Sequence, residues 1–286
     1  MPKVKKVNFL DKLLSASRQQ NSLLCVGLDP EPDRFPAALR EMPVERAVIY
    51  FCRAIIEATA SFVCAFKPNI AFFEVLGLAG MRVFHEVLSA IPAHIPVIVD
   101  AKRGDIGITA RNYASTMFDV YGCDAVTVNP YLGYDSIAPF LAYREKGIIL
   151  LCRTSNPSAR DFQDLLVQDN DDQLRPLYEV VARRVQSWNE AGNCGLVVGA
   201  TYPQELRTIR SICPSMPILI PGVGAQGGDL EAAVRTGVDR HGERAILAVS
   251  RSILYAGNGP DFATMAGEEA QRLRNLMNEA RSNSEA

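Results

Sequence analysis

Three apolar runs of this chain end abruptly in charge. The most informative is PVIVDAKRGDIGIT at 96–109, where a β-branched run gives way to Asp100, Lys102 and then Asp105. Side chains alternate across a strand, so Asp100 and Lys102 are expected on one side and Val97, Val99 and Ala101 on the other. Asp29 ends a second run (LLCVGLDP) and Lys67 a third (CAFKPN). For any one of these residues, half of a structural salt bridge is the simpler reading. Three successive runs with the same transition favour a network built for chemistry, because buried charge is costly unless it is paired. A carboxylate beside a lysine holds the ammonium charged and ready to deliver a proton.

A different chemistry is suggested near the C-terminal end. ILIPGVGAQGGD at 218–229 reads as a strand, a glycine-rich loop and the start of an amphipathic helix. Glycines allow backbone N–H groups to approach an anion, and a helix N-terminus adds its positive end. The following run, ILAVSRSI, delivers Arg251, whose guanidinium can grip a phosphate with paired hydrogen bonds, and Gln226 could donate another. A glycine-rich loop alone also fits a tight turn, so Arg251 carries much of this reading.

The elements that must position these residues alternate along the chain. Strands are expected at Leu23–Leu28, Phe62–Phe66, Val97–Lys102, Ala125–Asn129, Ile148–Arg153, Gly195–Gly199, Ile218–Pro221 and Ala245–Ser250. Between them, segments such as Ala47–Ala60, Arg82–Ala90, Thr109–Val120 and Gln204–Ile212 repeat apolar residues at helical spacing. Eight such units predict an α/β fold of the (β/α)8 TIM-barrel type, one domain over residues 1–286, with a doubly wound open sheet as the rival. The expected active face is then the C-terminal end of the strands. A polar insertion at about 156–175 follows the fifth strand on that face, its Asp169–Asp172 run is expected to be a solvated loop, and the tail 278–286 is expected to fray.

Composition narrows the function classes. The 286 residues carry 30 basic and 32 acidic side chains, a formal net charge of −2, so no global basic field points to nucleic acid or to a membrane surface. Cys25, Cys64, Cys152 and Cys194 lie in apolar runs and read as small buried hydrophobes rather than a disulfide framework. No apolar stretch approaches a spanning helix, and the basic N-terminus lacks the apolar core of a signal peptide, so the expected compartment is the cytoplasm. His85 and His94 belong to or follow an outer helix and His241 lies in a polar loop, which gives no metal-ligand spacing. Trp188 continues the pattern of Val181 and Val185 and is expected to pack on its helix face.

GLDP, FKPN, DAKRGDIGIT, TSNP, PGVGAQGG and SRSI together resemble the orotidine 5'-phosphate decarboxylase family across nearly the whole barrel, with Asp-x-Lys-x-x-Asp-Ile followed by Thr as the specific part. The resemblance implies decarboxylation of orotidine 5'-phosphate (OMP) to UMP without a metal or other cofactor. It implies that Asp100 and Lys102 are the reacting pair, completed by Lys67 and Asp105 into an alternating chain of charge. Asp29 and Asn69 would hold ribose hydroxyls, Ser155 would meet the pyrimidine edge, and Thr109 would reach the ribose across a subunit boundary. Pro221, Gln226, Arg251 and the backbone N–H of Ser250 would form the phosphate end, although many relatives have glycine at the position of Ser250. The implied partners are OMP and UMP within a homodimer of shared active sites. The insertion resembles that of the longer bacterial branch.

On this reading Lys102 stays protonated despite burial, stabilises the carbanion left at C6 and then protonates it. Two rivals remain. A magnesium-dependent sugar-phosphate decarboxylase shares the Asp-x-Lys strand, but Lys67 would repel the metal and the Glu ligand expected beside Asp100 has no obvious counterpart. A non-catalytic nucleotide-binding barrel would have no use for intact Asp100, Lys102 and Asp105.

Overall fold

Eight short apolar runs become eight parallel strands. In the computed structural model, which describes residues 7–223 and 228–282, they are β1 (Leu24–Leu28), β2 (Ala65–Pro68), β3 (Ile98–Arg103), β4 (Ala125–Val128), β5 (Gly147–Arg153), β8 (Cys194–Val198), β9 (Ile218–Pro221) and β10 (Ala245–Val249). The short strands β6 (Leu166–Gln168) and β7 (Leu174–Pro176) pair with each other as an antiparallel hairpin outside this sheet. The strand order is β2-β1-β10-β9-β8-β5-β4-β3. Parallel bridges Phe66↔Val97 and Asn69↔Asp100 join the two ends of that series, so the sheet closes into a barrel and the open-sheet alternative is excluded.

Alternation along the strands sorts the side chains into two cores. Inward-facing Cys25, Ala65, Ile98, Ala125, Ile149, Leu219 and Ile246 fill the barrel, and the N-terminal helix Phe9–Gln20 closes its lower end by adding Phe9 and Leu13 to them. Outward-facing strand residues pack against the helices. The helix Val44–Thr59, for example, buries Val48, Phe51, Cys52 and Ile55 at three-to-four spacing. All seven cysteines are buried and unbridged, and Trp188 packs at the edge of the outer core, tilted against Tyr134. Among the described residues no helix is long and apolar enough to cross a membrane.

Three expectations need correction. The second strand begins at Ala65, not Phe62, because the preceding helix tightens into a 3₁₀ turn over Ala60–Phe62 and leaves Phe62 packed at its end. The run Asp169–Asp172 is not simply solvated. It turns the β6–β7 hairpin, where buried Asp169 accepts a hydrogen bond from Arg184 at 2.6 Å and Asp171 accepts one from Arg175 at 2.6 Å. Residues 278–282 do not fray, since they belong to the last helix, Phe262–Ser282, and 283–286 lie outside the described residues. Asn278 there donates to the Asn21 carbonyl at 2.8 Å and Met277 is fully buried.

Candidate active site

The inward alternation that fills the barrel with apolar side chains brings different residue types to its C-terminal mouth. Two residues beyond Cys25, Ala65, Ile98 and Ala125 on their respective strands stand Gly27, Lys67, Asp100 and Thr127. Lys67, Asp100 and Thr127 line a cavity of about 740 Å³, together with Asp29, Asn69, Lys102, Ser155, Pro221, Ser250 and Arg251. Nine of the twelve residues singled out from the sequence therefore share one surface. The exceptions among described residues are Asp105 and Thr109, and Gln226 lies outside the described residues; Thr127 is the addition.

The charges form a continuous chain. Lys67 Nζ donates to Asp100 Oδ2 at 3.1 Å and Lys102 Nζ donates to Asp100 Oδ1 at 2.6 Å. Burial by itself would drive the Lys67 ammonium towards neutrality, but the carboxylates of Asp100 and Asp29 outweigh it and hold the group above its ordinary range. Burial likewise favours neutral Asp100, yet Lys67 and Lys102 hold its carboxyl well below the usual carboxylate range. Both partners are thus charged across the physiological range. Lys102 differs from its neighbours: its side chain is 51% exposed, against 6% for Lys67 and 12% for Asp100. The expectation of a buried Lys102 is corrected for the single chain, because the ammonium stands at the open rim of the cavity rather than beneath it.

Strand alternation alone does not place Lys102. Val99 and Arg103 of β3 pair with Val126 and Val128 of β4, so the three residues Asp100–Lys102 face Thr127 alone. This is a bulge, and within it Lys102 takes a left-handed backbone with φ of 47°. Such a conformation costs about 1–2 kcal/mol for a residue with a side chain and persists only where its surroundings enforce it. Thr127 faces the bulge from β4. Sequence reasoning missed it, although its place two residues after inward-facing Ala125 marks it as an inward polar residue in an apolar strand.

Close packing fixes the remaining walls. A Cβ on Gly27 would come within 1.9 Å of the Ser250 hydroxyl, so β1 needs glycine there for β10 to turn Ser250 inward. Gly199 serves Ser155 in the same way, since a Cβ would meet that of Ser155 at 2.7 Å. The segment after β5 reaches the mouth. Its Gln163 lines the cavity and accepts from the Thr154 backbone N–H at 2.8 Å, while fully buried Arg153 stacks on Tyr202 and donates towards Gln163 and Asp164. Gln163 also escaped the sequence reading, because only the fold of the insertion returns it to β5. One oxygen of Asp29, Oδ1, is buried without a hydrogen-bond partner among the described residues, which suits it to accept from a bound hydroxyl.

Asp105 and Thr109 do not line this cavity. The Asp105 carboxylate accepts from its neighbour Ile106 N–H at 2.7 Å, and Thr109 is exposed on the helix Gly107–Ser115.

The chain and its fold have counterparts among known proteins. Residues 22–264 match the model of the Orotidine 5'-phosphate decarboxylase / HUMPS family. The chain is 50% identical over 275 residues to an orotidine 5'-phosphate decarboxylase of Dehalococcoides mccartyi, covering 96% of this chain and 99% of that one. It is 52% identical over 278 residues to that of Verminephrobacter eiseniae, covering 96% and 100%. The structure of Leishmania donovani OMP decarboxylase is similar with a TM-score of 0.83 at 38% identity, over 96% of this chain and 99% of that chain. With the family model matched over most of its length and full-length relatives at half identity, this chain belongs to the orotidine 5'-phosphate decarboxylase / HUMPS family.

Proposed function

We propose that the barrel mouth decarboxylates OMP to UMP, with Lys102 as the proton donor. The observation that carries this reading is the Lys67–Asp100–Lys102 chain of charges at the head of the cavity. In the reaction the bond from C6 to the carboxylate breaks, CO2 departs and the electron pair stays on C6 in an orbital that the ring cannot delocalise. The Lys102 ammonium stabilises that pair and transfers its proton to C6, then regains a proton from solvent. Asp100 holds Lys102 in place from one side and Lys67 from the other fixes Asp100.

The other residues take positions along the nucleotide. Asp29, with its unpartnered oxygen, and Asn69 accept from ribose hydroxyls, and Ser155 meets the pyrimidine edge. Pro221, Gln226, the backbone N–H of Ser250 and Arg251 hold the phosphate. Binding energy from that remote group aids the chemical step by ordering the site. Loss of OMP ultraviolet absorbance with purified protein in EDTA tests the reaction. The expected result is turnover undiminished by the chelator; absorbance that persists for hours at high enzyme concentration overturns the assignment.

The working unit in this proposal is a homodimer in which Asp105 and Thr109 serve the partner's site. Two observations support it: neither residue lines its own chain's cavity, and Ile108 and Tyr131, on segments following β3 and β4, are 68% and 81% exposed. Inactive Lys102→Ala and Asp105→Ala chains, unfolded together and refolded, then form mixed dimers with one doubly damaged and one intact site. Recovery of about a quarter of wild-type activity is expected from random pairing under two-fold symmetry. No recovery beyond the sum of the parents places both residues in one subunit's site.

A further inference from the structure

We infer that Thr127 is a positioning residue for the proton donor, its hydroxyl closing the β3 bulge and so setting where Lys102 and Asp100 stand. The inference rests on the role given to Lys102 above. In a regular parallel ladder every second N–H of β3 donates to a carbonyl of β4 and the others turn to the opposite neighbour, but three residues of β3 here face one residue of β4. The Thr127 hydroxyl oxygen takes the surplus donors. It accepts the backbone N–H of Ala101 at 3.0 Å and that of Lys102, also at 3.0 Å. Its own proton goes to Asp100 Oδ1 at 3.0 Å, the oxygen that receives Lys102 Nζ.

A hydroxyl has two lone pairs and one proton, and these three bonds use all of them. Thr127 is 1% exposed and walled by the barrel, so the arrangement has no slack to take another shape. It touches both members of the reacting pair at once: the peptide on which Lys102 is strained into its left-handed turn, and the carboxylate to which the lysine ammonium is tied. A cysteine or valine fills nearly the same space without an equivalent set of bonds. Serine keeps the bonds and loses only a methyl group. The chemistry of the site thus depends on a group that need not meet the substrate.

Thr127→Val, Thr127→Cys and Thr127→Ser proteins, compared for OMP turnover, UMP affinity and thermal unfolding, test this. Loss of the hydroxyl in the Val and Cys proteins is expected to lower kcat about 100-fold, the scale of an ångström's misplacement of a reacting group. KM and the Kd for UMP are expected to stay within about threefold, since the pocket walls are unchanged, and Ser is expected to recover most of kcat. A loss confined to kcat with KM and UMP affinity kept, and recovered in the Ser protein, distinguishes positioning from a general loosening of the fold. If Val does not fold, the comparison of Cys with Ser gives the same reading. Near-native kcat in a folded Val or Cys protein, or a loss carried by KM, overturns the inference. An inactive wild type instead overturns the proposed reaction.

Discussion

The lower interior of the barrel and its mouth are built by the same strands with opposite chemistry. Cys25, Ala65, Ile98 and Ala125 face a sealed apolar interior closed from below by Phe9 and Leu13. Two residues later on the same strands come Gly27, Lys67, Asp100 and Thr127, the last three lining an open cavity. The pleat fixes which way each side chain points, so a strand of this length carries a packing residue and a reacting residue on one face. The lower part contributes stability through apolar burial. The mouth holds charges whose desolvation is offset by one another and by the Thr127 hydroxyl, and it keeps a strained lysine backbone in place. Stability and chemistry are therefore separable by position along the barrel axis.

Lys67→Met strikes the mouth and is expected to have the largest combined effect. Removing one partner of a buried pair is expected to cost about 3 kcal/mol of stability, with Lys102 remaining to shield Asp100 in part. A fall in kcat/KM of about a thousandfold is expected beside it, as Asp100 loses its anchor. Urea unfolding and steady-state kinetics measure the two. Unchanged kinetics would remove Lys67 from the reacting network.

Phe9→Ala attacks the other end. A large-to-small change in a closed core costs about 3 kcal/mol, and kcat/KM measured where both proteins are folded is expected to be unaltered. A matching fall in activity would show that the two ends of the barrel are coupled. Arg251→Ala is expected to lower kcat/KM for OMP about 100-fold while leaving the phosphate-free nucleoside orotidine untouched, since only the phosphate uses that guanidinium. Equal losses for both substrates would place Arg251 outside the phosphate end.

The smallest expected effect is on pH dependence. Asp100 has a folded-state pKa below its unfolded value, so its contribution to stability is present above about pH 4 and is lost as pH falls towards the folded value. Lys67 is raised, so its contribution holds below about pH 10 and is lost only as pH rises through the folded value. Between those limits the pair's contribution is level. Below about pH 4 the urea midpoint of the wild type is expected to fall more steeply than that of Asp100→Asn, which has no group left to titrate there. Parallel curves would mean that the carboxyl is not held charged by its neighbours.

The contrast between the two ends also explains what the sequence made legible. Asp29, Lys67, Asp100 and Lys102 are legible because they end apolar runs, and three such runs in succession favour chemistry over separate structural salt bridges. Thr127 is not, because a threonine in the run AVTV is an ordinary strand residue until the β3 bulge sets three residues against it. Phe62 misled in the opposite direction: an aromatic next to a β-branched run suggests a strand, whereas here it ends a helix. The acidic run 169–172 reads as solvated until Arg175 and Arg184, from the next strand and helix, converge on it. What was hidden depends on contacts between segments distant in sequence or displaced in register. What was legible depends on pattern along one strand.

The central claim is that Lys102 delivers the proton that replaces CO2. A single-turnover experiment with Lys102→Ala in excess over OMP, alongside UMP binding and thermal unfolding of the same protein, tests it most directly. Removing the acid and its electrostatic support is expected to slow UMP formation by at least about 10⁴-fold, while the fold and the affinity for UMP persist. UMP formed at a rate close to that of the wild type by this folded variant would contradict the claim and assign the proton to another group.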